Sequence, residues 1–264
     1  GHLVLVVAIP TLMAGLAAPR VRGLVMGLWA TFFGVGFALA ALVVGDQAAP
    51  VFAVHGALCA ILAVVLWWML PRAAVARRAP PRLSDHLLIY RDPRLFAPAL
   101  GHGIYAFLFL AAVTYLPTAL GALWLAPVLP IVGIVGSLGA GVLARFIAPG
   151  ALVAGGFGVM GAVFAIGLAW PAQAAGLSVL AMLISGVVAG GGFAAVPWLN
   201  QTEDGRALAN GALAQLGNIG TFAGTPVLAA LGAGASLPLA IAVGGVGALV
   251  TAIAYRAAIM MNVR

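Results

Sequence analysis

All twelve basic residues of the chain are arginines, and each falls in or beside every second gap between long apolar runs. Arg20 and Arg22 follow the first run, and Arg72, Arg77, Arg78, Arg82, Arg91 and Arg94 crowd the gap after the third. Arg145 follows the fifth run, Arg206 the seventh, and Arg256 and Arg264 the ninth. The intervening gaps, around 46–50, 117–121, 171–176 and 233–236, contain none. Arginine resists translocation, so charge held to one side of a bilayer marks the cytoplasmic face. The alternation therefore predicts a multi-pass membrane protein with its basic loops and C-terminus in the cytoplasm, as in a bacterial inner membrane.

Composition excludes the competing classes. With 64% of residues hydrophobic and 6% charged, a soluble domain has too little polar surface to cover itself. A net charge of +7 would point to nucleic acid in a soluble protein, but these arginines sit in short loops and form no basic domain. No nucleic-acid partner is expected; the lipid bilayer, with anionic headgroups on its inner leaflet, is. The single cysteine, Cys59, lies inside an apolar run, so neither a disulfide framework nor a Cys/His metal site is implied, and no cofactor is expected.

A bilayer core of roughly 30 Å is crossed by about 20 apolar helical residues. Nine such spans fit the chain, at about 2–18, 24–45, 51–70, 97–117, 120–144, 151–170, 176–199, 210–231 and 237–256. The fold class expected is an all-α membrane bundle. Trp67, Trp68 and Trp198 fall at arginine-side ends of spans and Trp124 and Trp170 near the opposite ends, as interfacial indoles should. Trp29 alone lies deeper.

The gap from Pro71 to about Leu95 is the one long connection. Within it Ser84 reads as an N-cap and Pro93 as a stop, bounding a short helix on the inner membrane surface; an unstructured linker is the alternative. This divides the chain into residues 1–70 with three spans, a central loop 71–96, and residues 97–264 with six. The first span must run inward. A chain beginning in the cytoplasm then needs an odd number of earlier spans, and three would make the two parts equal. The sequence opens at Gly1 inside an apolar run, and it reads as a piece of something longer.

The segment Pro19-Arg20-Val21-Arg22-Gly23-Leu24-Val25-Met26-Gly27-Leu28-Trp29 resembles the turn between helices four and five of the major facilitator superfamily of secondary transporters. The resemblance places the nine spans at helices four to twelve and implies a twelve-helix protein in two six-helix halves, here without the first three helices. Two further motifs match in part. Gly141-Val142-Leu143-Ala144-Arg145 is similar to the family's loop between helices eight and nine, without its acid. Gly27 and Gly36 keep the glycine spacing of the drug–proton antiporter subgroup, although Ala40-Ala41 stands where that subgroup has Gly-Pro. The function implied is alternating-access transport of a small solute, with residues 1–264 alone expected to be inactive. Drug or metabolite efflux is the alternative within transport. A non-transporting membrane protein or enzyme is the alternative outside it, and no converging catalytic set supports an enzyme.

Ionisable residues inside spans are costly and mark functional sites. All five carboxylates lie in loops: Asp46, Asp85, Asp92, Glu203 and Asp204. A coupling proton would therefore need histidine or a segment outside these residues. His102 and Tyr105, three apart and so on one face, are substrate-cavity candidates, because the family's helix seven lines the cavity. His55, near the end of the third span, reads as an interfacial residue. In the eighth span Gln215, Asn218, Thr221 and Thr225 fall within one face. They are candidates either to bind substrate or to hold helices together. Gly220 and Gly224 beside them form a GxxxG spacing.

Overall fold

The computed structural model describes residues 2–43, 48–69, 87 and 89–262, and among them it is all-helical without a strand. In chain order the long helices are α1 (His2–Leu16), α2 (Arg22–Val43), α3 (Ala48–Met69), α4 (Pro93–Ala119) and α5 (Leu125–Leu143). They continue with α6 (Pro149–Ala169), α7 (Ala174–Leu199), α8 (Glu203–Leu231) and α9 (Ser236–Asn262). Each overlies one expected apolar segment. Six of them, α3 to α7 and α9, are long and apolar enough to cross a membrane by length and composition. Apolar sequence with few polar side chains favours helices in lipid, because every backbone donor and acceptor pairs within its own segment.

α5 begins at Leu125 where 120 was expected, and α9 runs on to Asn262 where 256 was expected; α4 and α8 begin earlier than expected for one reason, a capping residue. Pro93 begins α4, after the helical residues Leu87 and Ile89 have given way to a turn, and the Asp92 carboxylate accepts from the Arg94 backbone N–H at 2.9 Å. Proline at the first helical position loses no hydrogen bond there and brings a preset φ. Glu203, Asp204 and Arg206, expected in a turn, lie instead in the first turns of α8, where Thr202 Oγ1 accepts from Gly205 N–H. The surface helix expected around 83–91 falls mostly outside the described residues. Ile89, at its end, is buried.

The helices meet through glycine. A Cβ added at Gly136 of α5 would overlap the Leu183 carbonyl oxygen of α7, and one at Gly186 would overlap the Gly133 carbonyl oxygen. In the same way Gly220 and Gly224 of α8 lie directly on the Gly103 and Phe107 carbonyl oxygens of α4. Gly161 and Gly244 bring α6 and α9 together, with a Cβ at Gly244 only 2.5 Å from the Gly161 Cα. Small residues allow such approach where hydrocarbon gives helices no hydrophobic reason to associate.

Two buried clusters follow. The larger one, with Phe109, Leu129, Phe157, Met160, Phe164 and Met182, draws on α4, α5, α6, α7 and α9. The smaller joins α1 and α2 to α4, α7 and α8, through Ala14, Met26, Leu95, Ala99, Phe193, Val196 and Ala209. By contrast the described side chains of α3 from Phe52 onward are exposed, with Trp67 and Trp68 at 75% and 83%. So broad an apolar surface is compatible with an integral membrane protein and not with a water-facing helix.

Valine at Gly136 is expected to destabilise the bundle by about 1–3 kcal/mol or more, since backbone lies where its side chain must go. Alanine at Gly139, where nothing lies within 4 Å, should change stability by less than about 0.5 kcal/mol. Unfolding curves in detergent for both variants check this. Asp92 gives a pH prediction. The Arg94 side chain, donating to its carboxylate at 2.7 Å, holds the Asp92 pKa below the ordinary 3.8. The stabilisation is therefore complete above that ordinary value and is lost as pH falls through the depressed folded one. Asp92→Ala should lower stability at neutral pH by about 0.5–2 kcal/mol and flatten the acid limb of the stability–pH profile.

Candidate functional site

At one end of the bundle the arginine-bearing turns come together. Arg20, Gly23 and Arg145 line a single surface depression. Gly23 and Gly27 of α2 pack on Gly141 of α5, a Cβ at Gly27 falling 2.8 Å from the Ser137 carbonyl oxygen and 3.0 Å from the Gly141 Cα. The two motif-like turns, 118 positions apart between Gly23 and Gly141, are thus one contact. Gly36 takes no part: nothing lies within 4 Å of the place for its Cβ. Arg22 donates to the Ala17 carbonyl at 3.4 Å, near the end of α1.

Polar side chains tie this end across the helix groups. Asn210 of α8 donates to Thr11 Oγ1 of α1 at 3.0 Å, and Thr11 donates to the Val7 carbonyl. Asn200 donates to the Arg94 and Val196 carbonyls, linking the start of α4 to the end of α7. Arg206, expected in a solvated turn, is buried and donates to the Gln201 carbonyl at 2.7 Å. Just inside lies the smaller apolar cluster, with Met26, Leu95, Ala99, Phe193, Val196 and Ala209. It forms a plug across the bundle, since it draws on α1, α2, α4, α7 and α8 at once.

Immediately beyond the plug is a cavity of about 60 Å³. His102 lies on its wall, roughly 14 Å along α4 from Pro93. The remaining wall comes from Val6, Trp29, Ala30 and Phe32 of α1 and α2, from Tyr105 and Ala106 of α4, and from α7 and α8. Phe193, Ala30 and Leu213 belong to both plug and wall. The His102 ring stands 5.6 Å from that of Tyr105 and 5.1 Å, edge on, from that of Phe193. It lies close over α8 as well: a Cβ at Gly217 would sit 2.7 Å from its Cδ2 and 3.0 Å from its Nε2. Glycine at 217 is what lets an imidazole fit between the helices.

The six cavity candidates separate. His102, Tyr105, Asn218 and Thr221 line the cavity together. Gln215 is engaged elsewhere, its Oε1 accepting from the Tyr90 hydroxyl at 2.6 Å. Partial burial raises the Tyr90 pKa above its ordinary 10.0, so the phenol stays protonated and remains the donor. Thr225 is one turn further along, and its Oγ1 is buried without a hydrogen-bond partner. Helical geometry explains the split. At about 100° per residue the stripe from Gln215 to Thr221 sweeps about 120°, enough for its two edges to meet different neighbours.

Of the wall residues that were not candidates, Trp29 alone carries a polar side-chain atom, and its indole stacks on Phe32 with centroids 4.8 Å apart. Its Nε1 is buried without a partner, as is His102 Nδ1. The available signal was its depth, since the other tryptophans lie near span ends. His55 and Cys59, one turn apart on α3 with Sγ and Nε2 at 3.6 Å, are on an exposed face away from this cavity. Among the described residues no group of three or more His, Cys, Asp or Glu could hold a metal ion. No protein-family profile matches the chain, and no curated protein matches it in sequence.

The Thr11–Asn210 bond can be weighed directly. In an unfolding-based double-mutant cycle, Thr11→Val and Asn210→Ala are expected to show a coupling of about 0.6–1.7 kcal/mol, the range for polar pairs between membrane helices. Additive effects would mean that the two side chains do not share a bond.

Proposed function

We propose that the chain forms part of a secondary transporter of the major facilitator type, moving a small solute by alternating access, with nine of its crossings supplied by these residues. One observation carries this reading. A cavity bearing polar groups lies between α1–α2 on one side and α4, α7 and α8 on the other, and the same two sets of helices close against each other beneath it. A transporter of this kind needs a solute site that is sealed from one side at a time. The seal here is apolar and glycine-lined, so the helix sets can part without breaking a buried ion pair between them, and the bonds across it are few.

The arginine turns, placed in the cytoplasm of a bacterial inner membrane by the positive-inside rule, would make the closed end cytoplasmic. The solute would then enter from the other face. Among the described residues no arginine or carboxylate lines the cavity, which favours an uncharged solute. If transport is proton-coupled, His102 and Tyr105 are the titratable side chains on the wall. The surrounding partner is the lipid bilayer.

Two measurements test this. In proteoliposomes carrying the product of the whole gene, uptake of at least one solute from a panel of small neutral compounds should saturate and be accelerated by the same solute inside. Only non-saturable leakage across the panel would sink the proposal. The geometry of access is checked by cysteine labelling, in a background where Cys59, the one cysteine of residues 1–264, and any cysteine encoded outside them are replaced by serine. Thr221→Cys should react with a membrane-impermeant maleimide added opposite the arginine end and be protected from the arginine side. Reaction from the arginine side alone would contradict the sealed end.

A further inference from the structure

Among the described residues, two members of the cavity wall, Trp29 on α2 and His102 on α4, each carry a buried nitrogen without a hydrogen-bond partner, Nε1 and Nδ1. A buried polar atom left unpaired is costly, so two of them on the wall of one cavity call for an occupant. Resting on the transport reading above, we propose that this site takes a small uncharged amide-class solute, with its carbonyl on the indole N–H and its polar edge on the imidazole.

The choice of class follows from the donor and acceptor inventory. The indole N–H can only donate, so the occupant must carry an acceptor. Imidazole Nδ1 donates in one tautomer and accepts in the other. An amide or urea satisfies both cases, because its carbonyl and its N–H lie on the same edge. A carboxylate offers acceptors alone and brings a charge that no lining residue neutralises. An ammonium group offers no acceptor for Trp29, and an apolar molecule satisfies neither nitrogen.

Size narrows the class further. An engineered apolar cavity of about 150 Å³ accommodates benzene, and this one is about 60 Å³. That leaves room for a few non-hydrogen atoms, as in urea or acetamide, and excludes drug-sized molecules in this closed state. Asn218 and Thr221, on the α8 wall, supply further polar contacts for the outer end of the solute. The rings of Tyr105 and Phe193, close to that of His102, give a planar molecule apolar cover. The bland occupant is water, which could also bond both nitrogens.

The test reads binding and not flux. In histidine-labelled full chain in detergent, the His102 ring resonances are followed by NMR, with assignment by His102→Gln among only four histidines. Acetamide or urea should shift them saturably, at concentrations well below those that unfold the protein. Trp29→Phe, which keeps a ring on Phe32, should weaken that response tenfold or more while leaving the thermal midpoint near wild type. Acetate, tetramethylammonium and benzene should give no saturable shift. A flat response to both amides, the outcome for a site that holds water alone, would falsify the proposal. So would an equal response to tetramethylammonium or benzene, or unchanged amide binding in a folded Trp29→Phe protein. Amide binding without flux would overturn the transport reading and leave the site standing; flux without amide binding would do the reverse.

Discussion

Backbone-to-backbone approach at glycine is the constraint on which the rest of this bundle depends. A helix surrounded by hydrocarbon gains nothing from hiding leucine, so α4 and α8 must be held by what remains: close packing and a few polar contacts. Gly220 and Gly224 on α8 provide it by resting on the Gly103 and Phe107 carbonyl oxygens of α4. The same contact fixes the cavity. Gly217 is one turn from Gly220 on the same helix, and its missing side chain is the space into which His102 fits. The packing device and the site are therefore continuous: the helix approach that stabilises the pair also sets how far the imidazole reaches.

The arginine end works by a different balance. Arg206 is buried yet bonds to the Gln201 carbonyl, and Arg22 reaches the Ala17 carbonyl. Both guanidinium groups donate to carbonyls just beyond helix ends, Ala17 after α1 and Gln201 between α7 and α8. Charge that serves as a topology marker in the sequence thus also finishes helix ends. Individually these bonds are modest. Beneath them Met26, Leu95, Phe193 and Val196 close the bundle with apolar side chains, and the buried Asn210–Thr11 bond is a polar contact that parting α1 from α8 would break.

Much of the scaffold was legible because apolar run length is a one-dimensional property. Among the described residues nine long helices overlie the expected apolar segments, six of them long and apolar enough to cross a membrane, and the early starts at Pro93 and Glu203 came from capping residues that extend a helix beyond its apolar stretch. The meeting of Gly23 and Gly27 with Gly141 was not legible, because nothing in either turn specifies which distant helix it faces. Nor was the separation of Gln215 from Asn218 and Thr221. A helical face is read as one surface from spacing alone, but Tyr90 claims one edge of it from a segment that sequence places in a loop. His102 and Tyr105 were legible as a pair because they share a helix.

Trp29 marks where that kind of reading stops. Its depth distinguishes it from the other tryptophans, but depth says only that an indole N–H has been carried away from the headgroups, where such groups are normally satisfied. Whether that donor is satisfied depends on α4, more than seventy positions away, and the structure leaves both it and His102 Nδ1 unpaired at one cavity. A structural tryptophan at this position would gain more from a hydrogen bond to a neighbouring carbonyl or from replacement by phenylalanine, which fills nearly the same space against Phe32 without a polar atom. Keeping the indole while withholding a protein partner makes physical sense when the partner comes and goes. The unsatisfied donor then favours the filled cavity over the empty one, and the apolar plug beneath it keeps bulk water on the arginine side from competing for the bond.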